Sequence, residues 1–208
     1  ERYGKRPVFV DGLRVTDGDS MEIVTAVLTG LVNKRLVAEL MSLKGQAVGL
    51  SGVDGGLIQA RIMDNRLGYV GSVTKVNPGV LVNLLSEGFM PVVSPVGLHE
   101  MDGSSDEGRT LNINADILAA ELAYSLEAER LIFLTDVQGI LDTGGRLIPR
   151  ITARHAKILL RSGVIKGGMI PKLEAALRAL NRVPRIDIVD GRQSGSIRNC
   201  FLNDGIGT

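Results

Sequence analysis

Three short polar side chains, Asn112, Asn114 and Asp116, alternate with the apolar residues Leu111, Ile113 and Ala115 near the middle of the chain. At a spacing of two, Asn112 and Asn114 share one side of an extended segment. Asn114 is also a good N-cap for a helix whose apolar residues run Ile117, Leu118, Ala120, Leu122, Ala123 and Leu126, with Asp116 in the first turn, where the dipole favours an acid. Capping accounts for Asn114 and Asp116 by themselves. It does not call for an amide at Asn112, so a polar cluster aimed at a small ligand stands as the competing reading.

A second group lies near the carboxyl end, where Lys166-Gly167-Gly168-Met169-Ile170-Pro171-Lys172 leads into a helix through Leu173, Leu177 and Leu180. Cations at a helix amino end are disfavoured by about 0.3–1 kcal/mol each. A phosphate held by the glycine N–H groups would balance them, the alternative being two solvated lysines. Asp136 follows the apolar run 130–135, where open α/β sheets bind ligands, although an Asp there is also an ordinary turn residue. Arg14 stands on a short strand, where a solvated charge is the plain alternative to a role in binding. His99 reads as surface or loop and His155 as an exposed helix position. Neither has a second His or Cys near enough for a metal site.

These residues need a scaffold, and the pattern between them supplies one. Runs at 8–10 and 13–16 flank Asp11-Gly12 as a hairpin, and 57–63 with 69–76 form another. Asp19-Ser20-Met21-Glu22 opens a long helix to about residue 43, apolar on more than one side, with Gly30 allowing close approach by another helix. A buried strand at 47–50 ends in a glycine-rich loop to which no phosphate role is assigned, since no Gly-Lys-Ser/Thr follows it. Asn77-Pro78 opens a helix to residue 87, 89–96 is one buried strand, 152–162 an amphipathic helix, 185–189 a last buried strand and 194–202 a short helix. Strands and helices alternate, and 130–135 is apolar throughout, as in a parallel sheet covered on both faces. The class is α/β.

With 208 residues the chain suits one large domain or two lobes rather than two independent folds. Twenty-four Lys and Arg against 23 Asp and Glu leave a net charge of +1, which argues against nucleic acid or an anionic membrane as partner and for a small molecule. One cysteine, Cys200, excludes an internal disulfide framework, and no long apolar run is visible, so a reduced cytoplasmic setting is expected.

Taken together in order, Gly12-Leu13-Arg14-Val15-Thr16, Leu111-Asn112-Ile113-Asn114-Ala115-Asp116, Asp136 through Leu141, and Gly168-Met169-Ile170-Pro171-Lys172 resemble the amino acid kinase family, in its branch acting on N-acetyl-L-glutamate. The resemblance spans nearly the whole chain. It implies a three-layer α/β/α sandwich around a mainly parallel sheet, with an amino-acid-substrate lobe over roughly 1–128 and a nucleotide lobe over 129–208. It also implies transfer of the ATP γ-phosphoryl group to the side-chain carboxylate of N-acetyl-L-glutamate in arginine biosynthesis, with Mg²⁺ carried on ATP and no metal held by protein side chains. Arg14, Asn112 and Asn114 would hold the amino acid, and Asp116 would organise the catalytic lysines. Asp136, Val137, Gln138, Gly139, Ile140 and Leu141, with Val164, Ile165 and Lys166, would line the nucleotide site. Lys172 would stabilise the phosphoryl group in transfer. A homodimer or dimer-based hexamer is expected.

The family's opening strand with its Lys and glycines, and the His-Gly-Gly-Gly loop after it, do not occur here, which sets the expectation that sequence precedes Glu1. Two alternatives accompany this reading. One is a relative that phosphorylates aminoadipate or glutamate on a carrier protein, and the other a non-catalytic ligand-binding or regulatory subunit.

Overall fold

The computed structural model describes residues 8–10, 13–100, 103, 105–202 and 207–208, with backbone alone at 9, 10, 13 and 14. The chain divides into two compact units, Glu1–Leu118 and Ala119–Thr208. In chain order the elements are β1 (Phe9–Val10), β2 (Leu13–Arg14), α1 (Gly18–Thr25), a π-helical stretch (Ala26–Val32), α2 (Asn33–Ser42), β3 (Ala47–Ser51), β4 (Ile58–Ile62), β5 (Val70–Val76), α3 (Gly79–Ser86), β6 (Met90–Ser94), β7 (Val96–His99), β8 (Thr110–Ile113) and α4 (Ala115–Ser125). They continue with β9 (Leu131–Thr135), α5 (Ala153–Arg161), α6 (Met169–Ala179), β10 (Ile186–Asp190) and α7 (Ser196–Leu202).

In the first unit β1 and β2 pair antiparallel, as the hairpin signal predicts, while the turn at Asp11 and Gly12 falls outside the described residues. The long helix starts earlier than expected. Asp17, not Asp19, is its cap, because its Oδ1 is the acceptor that reaches Ser20 N, at 2.7 Å. Midway, the π-helical stretch precedes Asn33, which is buried and donates through Nδ2 to Leu50 O at 3.2 Å and Val92 O at 2.8 Å. The helix is thereby tied to the parallel pair β3 and β6. Gly49 is required for this approach, since a Cβ there would stand 2.0 Å from Asn33 Oδ1.

Four further strands close a ring in the order β4-β5-β8-β7. The β4–β5 hairpin matches the sequence pattern. Val96, Leu111, Ile58, Ala60 and Ile113 are almost fully buried, and a Cβ on Gly71 would meet Ile113 Cδ1 at 2.6 Å and Leu111 Cβ at 2.9 Å. The interior has no room for another methyl group there. The single strand expected over 89–96 is two strands. Pro95, which has no N–H to donate, separates β6, paired with β3, from β7, paired with β4 and β8. His99 is correspondingly no surface residue. It ends β7, is buried, and donates its backbone N–H to Arg109 O at 2.7 Å.

In the second unit β9 and β10 run parallel, in register from Leu131↔Ile186 to Thr135↔Asp190. Phe133, Leu173, Ala176, Ala179, Val183 and Ile188 form its core. The two parallel pairs carry the α/β character that the sequence announces, and the ring of β4, β5, β8 and β7 is added to it. Among the described residues no helix is long and apolar enough to cross a membrane.

Candidate active site

In the first unit the expected substrate residues sit where strands hand over to helices. Arg14 ends β2, its side chain lying outside the described residues. Asn112 lies on β8 between β5 and β7, opposite Val70 and Val96, with its backbone N–H donated to Tyr69 O at 2.8 Å. Its Nδ2 lies 3.1 Å from Thr16 Oγ1. Asn114 caps α4, as the sequence predicts. Its Oδ1 accepts from Asp116 N at 2.9 Å and Ile117 N at 3.1 Å. Asp116 follows in the first turn, half-buried.

The second unit places its polar residues at the carboxyl ends of β9 and β10 and at the start of α6. Asp136, Val137 and Gln138 are exposed just past β9. Gly139 and Ile140 are not. Ile140 is buried, its N–H donates to Thr208 Oγ1 at 2.8 Å, and it borders a cavity of about 410 Å³ with Ile151, Leu173 and Ile186. In the six-residue stretch, Gly139 and Ile140 are therefore core residues between the exposed residues 136–138 and the exposed Leu141. Of the other nucleotide candidates, Val164 is half-buried, Ile165 buried and Lys166 exposed.

Gly167 adopts φ 57°, which turns the chain into α6, and open space surrounds both Gly167 and Gly168. Lys172 is 8% exposed in the first turn of α6, with Nζ 4.9 Å from the centre of the Phe133 ring. Among the described residues no group of three His, Cys, Asp or Glu side chains gathers for a metal ion.

Sequence reasoning passed over Asp190 and Arg192. Asp190 ends β10 beside Thr135, and Arg192 grips it through Nε and Nη2, both at 2.9 Å. The signal was available as Asp-Gly-Arg directly after an apolar strand, the same position as Asp136. The Arg192 side chain and then its backbone N–H hold the Asp190 carboxyl at about 2, from an ordinary 3.8. A depressed carboxylate contributes stability above its unfolded pKa and loses it as pH falls through the folded one. Asp190→Asn should therefore be less stable than the unmodified protein at neutral pH, and the two unfolding midpoints should converge between about pH 4 and pH 2. Denaturation followed by circular dichroism across that range checks this, and a gap that persists at pH 2 would refute it.

A parallel strand pair with polar residues after its strands, and a buried lysine in the first turn of a helix that follows a glycine pair, is an arrangement found in phosphate-handling α/β proteins. The model of the amino acid kinase family matches residues 1–190, and the chain belongs to that family. Within it, the chain is 47% identical to the acetylglutamate kinase of Campylobacter curvus and 44% identical to that of Moorella thermoacetica, covering all of this chain and 73% of each relative. A solved structure of N-acetylglutamate synthase from Neisseria gonorrhoeae, complexed with coenzyme A and N-acetyl-glutamate, superposes with a TM-score of 0.84 at 30% identity, over all of this chain and 47% of that one.

Proposed function

We propose that this protein is an acetylglutamate kinase, which transfers the γ-phosphoryl group of ATP to the side-chain carboxylate of N-acetyl-L-glutamate, in arginine biosynthesis. The 47% identity across the whole chain carries this reading. The chemistry of the residues agrees with it. A glutamate side chain of pKa about 4.3 is already ionised at neutral pH, so the acceptor needs no general base. Neither His99, buried at the end of β7, nor His155, exposed on α5, is asked to act as one.

The first unit serves the amino acid. Arg14 suits a forked grip on a carboxylate, and Asn112 and the Nδ2 of Asn114 suit the acetamido group. Asp116, half-buried in the first turn of α4, is assigned to the catalytic machinery. The second unit serves the nucleotide, through the exposed Asp136, Val137 and Gln138 and the glycine turn after Lys166. Lys172 meets the negative charge that grows as the phosphoryl group detaches. Mg²⁺ enters with the phosphates of ATP. A reduced cytoplasmic setting accompanies this reading, in keeping with a single, free cysteine, Cys200.

The test is ADP release measured with and without N-acetyl-L-glutamate. Release that does not depend on the amino acid would overturn the reading.

The working form is a homodimer or an assembly of such dimers, joined through the long helix. Val32, Leu36 and Leu43 fall on one stripe at helical spacing and are 49%, 45% and 79% exposed, and nothing lies within 4 Å of a Cβ built on Gly30. Leu36→Glu should shift light scattering from dimer to monomer without loss of helical signal, because the new carboxylate is solvated in the monomer and unpaired in the dimer. An unmodified protein that scatters as a monomer would remove this interface.

A further inference from the structure

In the second unit the turn after β10, Asp190-Gly191-Arg192, is laid against the end of β9, where Asp136 begins the exposed nucleotide stretch. Gly191 donates its N–H to Thr135 O at 2.8 Å, and a Cβ on Gly191 would stand 3.0 Å from Leu134 Cβ, which leaves little room for a larger residue. Resting on the kinase reading, we infer that Arg192 is a specificity-determining residue of the nucleotide site: a face of its guanidinium group stacks on the base of ATP and favours a purine over a pyrimidine.

The side chain is held in place before any ligand arrives. Arg192 donates to the Asp190 carboxylate through its backbone N–H at 3.0 Å and through Nε and Nη2, both at 2.9 Å, and Asp190 is itself buried. The buried Ser196 hydroxyl reaches Asp190 O at 2.5 Å and fixes the turn from its other side. A carboxylate on one edge of a planar guanidinium leaves both faces free for a ligand, and the Arg192 side chain is 68% exposed. Charge decides which part of the nucleotide comes there. Asp190, and more weakly Asp136, push the Arg192 guanidinium further above its ordinary pKa, so Asp136 lies within its field. Phosphates avoid a carboxylate and gather instead at the glycine N–H groups and lysines around the start of α6. The uncharged ribose and base remain, and Asp136 suits the ribose hydroxyls. Leu134 and Val137, 48% and 37% exposed, add apolar surface that a base would cover. An arginine stacks on an aromatic face where a lysine offers only a point charge, and a purine of two rings gives it more area than a pyrimidine of one.

The experiment compares kcat/KM for ATP and for CTP, which carry the same ribose and triphosphate, at saturating N-acetyl-L-glutamate. The unmodified protein should prefer ATP. In Arg192→Lys, which keeps a charge opposite Asp190 and loses the plane, that preference should fall about fivefold. The loss should lie in KM for ATP, with kcat and KM for N-acetyl-L-glutamate within about twofold. Affinity for inorganic triphosphate, which has neither ribose nor base, should not change. The paired change Asp190→Asn, Arg192→Ser, which leaves neither charge alone, carries the same test should the lysine variant not fold. No preference in the unmodified protein, an unchanged preference in the variant, an equal loss with both donors, or a matching loss of triphosphate affinity would overturn the stacking role while leaving the kinase reading intact. Failure of the unmodified protein to turn over N-acetyl-L-glutamate would overturn the kinase reading and this inference with it.

Discussion

Lys172→Met lowers the kcat for acetylglutamate-dependent ADP release by roughly 10³-fold and changes KM for ATP by no more than a few fold. Two observations lead to this. The ammonium group is buried in the first turn of α6, where helix and desolvation both disfavour a cation, and it lies over Phe133 at 4.9 Å. A charge kept in such a place is held for an anion, and here the anion is at its most demanding in the transition state, when charge spreads over the phosphoryl oxygens. Methionine preserves the unbranched apolar stem beside Phe133 and removes only the charge. Steady-state kinetics with a coupled ADP assay, alongside a thermal melt, separates the effects. A kcat within tenfold of the unmodified value would exclude Lys172 from the chemistry.

Asp187→Ala should destabilise the protein by about 3 kcal/mol or more. On β10, Asp187 accepts from Arg130 Nε at 2.5 Å and from Arg130 Nη2 at 3.3 Å, and Arg185 Nη2 reaches the same carboxylate at 3.2 Å. The Arg130 and Asp187 side chains are 14% and 12% exposed, so solvent does little to compensate for a missing partner. Removing the carboxylate leaves Arg130 with its Phe201 contact at 4.9 Å and no counter-charge from Asp187. The paired change Arg130→Met, Asp187→Leu should recover most of the loss, because taking out both charges removes the desolvation cost along with the attraction. Urea denaturation of the two variants beside the unmodified protein measures both changes. A single-variant loss below about 1 kcal/mol, the range of exposed pairs, would show that the pair is effectively solvated.

Much of the candidate site was legible because its signals are local. The cap at Asn114 needs only a short polar side chain two and three residues ahead of amides left without helical partners, and both hydrogen bonds form as the spacing predicts. The glycine turn before α6 and the acid after β9 follow from φ requirements and strand ends in the same way. His99 was misread for the opposite reason. The polar, turn-rich stretch from His99 to Gly108 suggested a loop, but the residue closes β7 within a ring whose partners come from Gln59, Ala60 and Arg109.

The sequence by itself determined the α/β class, the hairpins at β1–β2 and β4–β5, and the helix cap at Asn114. Each of these depends on neighbours a few positions apart, whose geometry is set by backbone dihedrals and side-chain period. Tertiary structure alone decided that Pro95 divides one apolar run between two sheets, that Ile140 turns into the core while Asp136 stays exposed, that Lys172 lies against Phe133, and that Thr16 meets Asn112. These depend on residues distant in the chain being brought together. The energy that selects such pairs is the burial and hydrogen-bond satisfaction of the whole unit, which no local window contains.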